Sequence, residues 1–415
     1  MFFYFFRRPA VWAVAIVVVA WAMSSRAARA TEIRVAAYNV EADIDGVTTP
    51  RAGLYQVLEG IGEANIGGDV QPLDLLALEE TTSNTATVAP IVSNLNSYYG
   101  GTVVYAQSPV QGLSSGNDVS DGNGPNALVY NTTTLTLLSS VGVGTPEGSS
   151  NGEYRQVMRY EFEPVGGTAA DIFYVYVTHM KSSSSGSLFT DETYRAEEAA
   201  IIRADEATLA TSANSNPKVL YVGDFNLSGS AAITSGSQSV SAYQTMTAAG
   251  QGQAVDPLNT NPQNNNETWD DNPTYAAWLT ETDTNLQYRD DLQLMTQNVF
   301  NGLGPGLAYV PGSLMAFGNN GSVGVDGDVN SGSNTALNDL EPNPPISAAT
   351  LLSDLTTASD HLPVVADYTF AVPEPCAATL LLVGTSWLLL VVGARRFFGS
   401  TSRPVGRIRA GAGQK

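Results

Sequence analysis

The chain is 415 residues long, and its 40 acidic against 19 basic residues give a formal charge of −21. Within 31–372 the imbalance sharpens to 39 acidic against nine basic residues, a charge of −30, which repels long polyanions and excludes the basic stripe of a DNA-binding module. The one cysteine, Cys376, lies beyond that stretch, so no internal disulfide or thiolate zinc site can hold it together. Its stability must come from a core, for which roughly 340 residues suffice.

In chain order, Arg7 and Arg8, the apolar run Ala10 to Met23 and the Ala28-Arg29-Ala30 cleavage pattern predict a signal peptide over 1–30. A retained anchor is the competing reading, although the run is short for a full span. Val35 to Val40 reads as a strand, and Leu54, Val57, Leu58 and Ile61 give Arg51 to Ala64 helical spacing. Leu73 to Leu78 is a buried-type strand running into Glu79-Glu80. Thr85 to Tyr99 reads as a helix, with Thr102 to Ala106 extended behind it. Ala127 to Tyr130, Thr134 to Val143, Gln156 to Phe162 and Ile172 to Thr178 read as successive strands between Gly, Asn and Pro signals. Thr193 to Ala210 predicts a helix capped by Asp191, and Val219 to Val222 a further buried strand.

Residues 227–288, rich in Ser, Gln, Asn and Thr, read as a long connection, and 301–347 as Gly/Asn-rich loop. Leu292 to Met295 and Leu362 to Phe370 complete the core. Strands and helices in this mixed order predict an α/β fold of packed sheets flanked by helices. Asp326, Asp328 and Asn330 have the spacing of a calcium loop but lack its sixth-position Gly and twelfth-position acid, so they read as turn residues.

Five polar clusters follow apolar runs, Tyr38-Asn39, Glu79-Glu80-Thr81, Thr178-His179, Gly223-Asp224-Phe225-Asn226 and Ser359-Asp360-His361, and a sixth, Arg289-Asp290-Asp291, leads into Leu292. The chain has only two histidines, and both stand in such clusters, where near-neutral proton chemistry is useful. Strands of a sheet that end on one side would gather these groups. Their carboxylates and amides suit a hard divalent cation, Mg²⁺ first and Mn²⁺ or Ca²⁺ as alternatives. Lys181 reads as a solvated rim charge, while Arg155 either steers an anion or lies on a strand face.

The order and wording of these clusters, above all Gly-Asp-Phe-Asn followed by Ser-Asp-His-x-Pro-Val with His179 upstream, resemble the endonuclease/exonuclease/phosphatase superfamily. The resemblance covers about 33–370 and implies a deoxyribonuclease-I-like fold, a four-layer sandwich of two packed mixed β-sheets flanked by helices. Carried over position by position, it implies Asn39, Glu80 and Asp360 on the metal side, with Glu79 standing in for the usual Gln. It implies His179 at the scissile phosphate and Asp224 with Asn226 around the attacking water. His361 falls at the general base or a phosphate-contacting histidine, with Asp291 orienting it and Asp290 competing for that role. The implied activity is metal-dependent phosphodiester hydrolysis, with an extracellular nuclease first. A phospholipid or small-molecule phosphodiesterase is the nearest alternative, and a non-catalytic surface or matrix protein on the same fold stands in another class.

At the other end, Val372-Pro373-Glu374-Pro375, an apolar run to Ala394 and Arg395-Arg396 resemble the bacterial PEP-CTERM sorting signal, here over 372–396 with an added basic tail, 397–415. That resemblance implies export, a membrane-spanning C-terminal helix and processing by an exosortase-type protease.

Overall fold

The computed structural model describes residues 32–42, 49–113, 124–144, 155–183, 185–210, 216–258, 266–281, 285–338 and 346–371. The expected signal peptide, sorting signal and basic tail lie outside the described residues. Among the described residues, no helix is long and apolar enough to cross a membrane.

Two mixed sheets face one another. The first is seven-stranded, with the order β11 (Gly306–Tyr309), β13 (Val364–Ala371), β1 (Glu32–Asn39), β2 (Leu75–Glu79), β4 (Ala127–Asn131), β3 (Tyr105–Gln107), and with β12 (Met315–Ala316) also on β13. The second is six-stranded: β9 (Ala254–Val255), β10 (Asp291–Thr296), β8 (Lys218–Asp224), β7 (Phe173–His179), β6 (Val157–Pro164), β5 (Leu135–Val143). Each sheet is built around one parallel pair, β1 with β2 and β8 with β7, flanked on both sides by antiparallel partners.

Alternation along β1 shows why the layers stack. Ile33, Val35 and Ala37 join the core between the sheets, with Val175, Val177, Leu220 and Val222 from the second sheet. Ala36 and Tyr38 point the other way, into a core shared with α1 (Leu54–Glu63), α2 (Ala89–Tyr98) and α5 (Ala348–Ala358). On the far side, Tyr176, Val219 and Tyr221 pack with residues of α3 (Leu188–Glu206) and α4 (Ala242–Thr247). Strands covered on both faces read as continuous apolar runs, which is why they were visible in the sequence. The four-layer α/β sandwich is the observed architecture.

Arg34 joins the sheet to the helix layer at the end away from the polar clusters. Its fully buried guanidinium pairs with both oxygens of Asp367 at 2.8 and 3.0 Å and donates to the carbonyls of Ile61 and Ala64, closing the C-terminus of α1.

Three expectations need correction. The long helix starts at Leu188, not Thr193, because Ser187 caps it by accepting from Thr190 N–H; Asp191 lies inside the first turn. The 227–288 stretch is not only a connection: Trp269 is fully buried, Tyr243 stands edge-on to it, and α4 and β9 are built there. The 301–347 stretch contributes β11 and β12, and α5 follows it, with Leu351, Leu352, Leu355 and Ala358 on its buried face.

Candidate active site

The parallel registers bring the polar clusters to one end. Asn39 lies opposite Glu79 where β1 and β2 stop. His179 lies opposite Asp224 where β7 and β8 stop. Antiparallel β10 begins there, with Asp291 opposite Asp224. β13 also begins there, three residues after His361.

Asp224 sits at the centre and is 1 % exposed. Its Oδ2 accepts from Asn39 Nδ2 at 3.3 Å and lies 3.3 Å from His179 Nε2 and 3.9 Å from His361 Nε2. Its Oδ1 accepts from the main-chain N–H of Asn226 at 2.9 Å, and Asn226 itself has left-handed backbone, φ 51°. The Asn226 amide turns back to the Met180 carbonyl at 3.2 Å. Glu80 also has left-handed backbone, φ 52°, and its carboxylate stands 3.7 Å from His179 Nε2. Such strain is held where surrounding contacts over-determine it, often at functional sites.

On the opposite side, His361 Nδ1 lies 2.7 Å from Asp291 Oδ2. Asp291, not Asp290, therefore orients the ring, while the Asp290 carbonyl accepts from Phe225 N–H at 2.8 Å. Ser359 Oγ donates to the Asn39 carbonyl at 2.7 Å and accepts from His361 N–H at 3.0 Å, tying the start of β13 to the end of β1. Asp360 Oδ1 is 3.9 Å from His361 Nε2, and its N–H donates to Glu41.

The two histidines are electrostatic opposites. Burial disfavours the His361 imidazolium, but Asp291, through charge and hydrogen bond, and then Asp224 and Asp360 outweigh it and raise His361 well above its ordinary range. Burial holds His179 well below that range, and the charges of Arg155 and His361 add to the effect. Asp224 is pushed up to about 6, chiefly by burial.

Gly223 is required by contact. A Cβ there would come 2.1 Å from the Thr178 carbonyl and 2.7 Å from Glu79 Oε1, at φ 127°. The space it leaves is taken by Glu79, fully buried beneath the site, with neither carboxylate oxygen hydrogen-bonded among the described residues. Burial, then repulsion from Asp291 and Asp224, raises Glu79 well above the usual carboxyl range.

The structure therefore gathers Asn39, Glu80, His179, Asp224, Asn226, Asp291, Asp360 and His361 at one end of the sandwich. Among the described residues, no three His, Cys, Asp or Glu side chains form a ready-made metal cage. The donor set is carboxylate and amide oxygen, and the Asp360 side chain is 31 % exposed. It suits a hard cation that keeps waters and takes only one or two carboxylates from the protein. Two basic residues need restating. Lys181 is buried rather than on a solvated rim, with Nζ 3.3 Å from the Ser182 carbonyl and 3.9 Å from Asp191. Arg155 is buried and donates to the Met180 carbonyl at 2.6 Å.

Sequence reading missed Glu281, whose backbone bridges to His361, and Asp270. Both lie in the polar connection, where no pattern marked them. Glu281 and Asp290 lie near His361, and Asp270 lies beside them. Glu281 is pushed to about 7 by burial and then by Asp360 and Asp224, against the pull of His361; Asp270 is pushed to about 7 by burial and then by Asp271 and Glu281.

No protein-family model and no curated protein matches the chain. Among solved structures it is similar to the human Nocturnin catalytic domain with bound sulfate, at 15 % identity over 82 % of this chain and 95 % of that one, TM-score 0.46. It is similar to an endonuclease/exonuclease/phosphatase from Bacteroides vulgatus, at 15 % identity over 82 % and 100 %, TM-score 0.42. It is also similar to a mannosyl-6-phosphatase of Bacteroides thetaiotaomicron, at 14 % identity over 81 % and 100 %, TM-score 0.42.

Proposed function

We propose that this protein is a metal-dependent phosphoesterase that hydrolyses phosphodiester bonds by direct attack of water. The observation that carries this reading is the Asp291–His361 pair at 2.7 Å, whose other ring nitrogen opens onto Asp224 across from His179. Asp291 accepts the Nδ1 proton, so that in the neutral form of the ring Nε2 is free to take the proton of the attacking water, and the same carboxylate then supports the imidazolium. Asp224, held by Asn39 and Asn226, lines the place where that water would be oriented. His179, kept neutral by burial, is a hydrogen-bond donor for charge that develops on the phosphoryl oxygens. A divalent cation held by Asn39, Glu80 and Asp360, Mg²⁺ before Mn²⁺ or Ca²⁺, would neutralise the phosphate and stabilise the leaving oxygen.

An exported nuclease acting on extracellular nucleic acid is the first substrate reading. A phospholipid or small phosphodiester is the second, because the charge of −30 over 31–372 repels a long polyanion.

The test is turnover of plasmid DNA, RNA, sphingomyelin and bis-p-nitrophenyl phosphate with Mg²⁺, Mn²⁺ or Ca²⁺. We expect turnover that EDTA abolishes and the metal restores. Turnover on none of the four would refute the enzyme reading and leave the non-catalytic surface protein. Undiminished turnover in His179→Ala and His361→Ala would move the site elsewhere. Export, anchoring through the C-terminal segment and exosortase-type processing belong to the same proposal. Cell fractionation and the masses of the mature termini decide them.

A further inference from the structure

The imidazole of His179 is 2 % exposed, and its Nδ1 has no hydrogen-bond partner among the described residues. A functional histidine usually has its orientation set by a bond at that nitrogen, as His361 has. Something else must hold His179, and the next two residues show what it is. Met180 N–H donates to the Asp224 carbonyl at 2.9 Å, and the Met180 carbonyl accepts from Arg155 and Asn226. Lys181 N–H donates to Glu198 Oε2 at 3.0 Å, and the Lys181 carbonyl accepts from Arg195 Nε at 2.7 Å. Every main-chain polar group of the two residues is gripped.

We propose that Arg195 and Glu198, one turn apart on α3, are positioning residues that hold His179 in place through the main chain of Lys181. Buried main-chain groups need partners, and any neutral side chain could serve. Here the partners are Arg195, 3 % exposed, and Glu198, 2 % exposed, whose carboxyl is pushed up to about 8 by burial. Arg195 and Glu198 clamp both sides of one peptide residue, and Glu192 and Ser183 hold the Arg195 fork in turn. The helix layer thereby fixes the backbone two residues beyond an imidazole that no side chain orients at Nδ1.

The activity arm of the test rests on the phosphoesterase reading, but the structural arm does not. The chain has only two histidines, so ¹³C/¹⁵N-histidine-labelled protein without a histidine tag gives two imidazole signals, assigned with His179→Gln. In Glu198→Leu and Arg195→Met we expect the His179 signal to shift or broaden while the His361 signal stays in place. We also expect kcat to fall roughly 10- to 100-fold with KM within about twofold, and Glu198→Gln, which keeps an acceptor, to recover most of the loss. Should Glu198→Leu fail to fold, Arg195→Met decides by the same readouts. An unmoved His179 signal in a folded variant overturns the proposal, as does equal displacement of both signals, which marks general loosening. If the wild type hydrolyses none of the substrates, the phosphoesterase reading falls, and the His179 signal alone decides the clamp.

Discussion

His361 and His179 face the same carboxylate, Asp224, from opposite sides, yet they are held in opposite ways. His361 is held by its ring: Asp291 takes Nδ1, and three carboxylates favour the charged form. His179 is held by its backbone, is kept neutral by burial, and has Nδ1 unbonded among the described residues. The first arrangement suits a group that gains and loses a proton. The second suits a rigid neutral donor. Chemistry that needs both a base and a fixed contact to phosphate could not use two copies of either environment.

The largest expected effect breaks the His361 side. Asp291→Asn keeps the shape but removes the charge that fixes the tautomer, and kcat should fall about 10³- to 10⁴-fold with the fold intact. His179→Ala removes a donor rather than a base and should lower kcat by about 10²- to 10³-fold. Steady-state kinetics on bis-p-nitrophenyl phosphate checks both, and the reverse order would exchange the roles assigned to the two histidines.

Gly223→Ala attacks what the two sides share. Its Cβ cannot fit 2.1 Å from the Thr178 carbonyl, so β7 and β8 would have to separate where His179 and Asp224 lie side by side. Stability should fall by roughly 3 kcal/mol, measured by urea denaturation. Arg289→Lys is a milder change on the His361 side. Arg289 is two residues before Asp291, pairs with both Asp256 oxygens at 3.0 Å and lies 4.5 Å over the Trp269 ring. A lysine keeps the charge but loses the fork and the stacking, and about 2 kcal/mol of stability should go with them.

Much of this comparison was legible in the sequence because parallel strands make it so. An apolar run of strand length that stops at His179 or Asp224 states where the strand ends, and side-by-side pairing places those ends together. What surrounds the strands was less legible. Lys181 beside a serine run reads as solvated, and only the packing of α3 supplies the Asp191, Arg195 and Glu198 that bury it. Trp269 and Asp256 lie in Asn- and Gln-rich chain whose composition hides two strong contacts of Arg289. The spacing of Leu351, Leu352 and Leu355 was masked by the Pro- and Asn-rich approach to Ser347. Local pattern reveals an element that carries its own signal, whereas a clamp depends on residues far apart in the chain.

The smallest effect is the one that separates the two histidines most directly. His361 titrates above 6.5 in the folded protein, so its stabilising contribution is complete below 6.5 and is lost as pH rises through the folded value. His179 titrates below 6.5, so the unfolded chain takes up a proton that the folded chain refuses, and stability falls as pH drops below 6.5. The pair should therefore erode stability on both sides of that pH, each by at most about 1.4 kcal/mol per pH unit within its own window. In chelator-treated protein, the difference between His179→Gln and wild type should slope only on the acid side, and that for His361→Gln only on the alkaline side. The two imidazole signals should titrate on opposite sides of 6.5. Both slopes on one side would mean that the rings share one environment, and the division between a ring-held base and a backbone-held donor would fail with it.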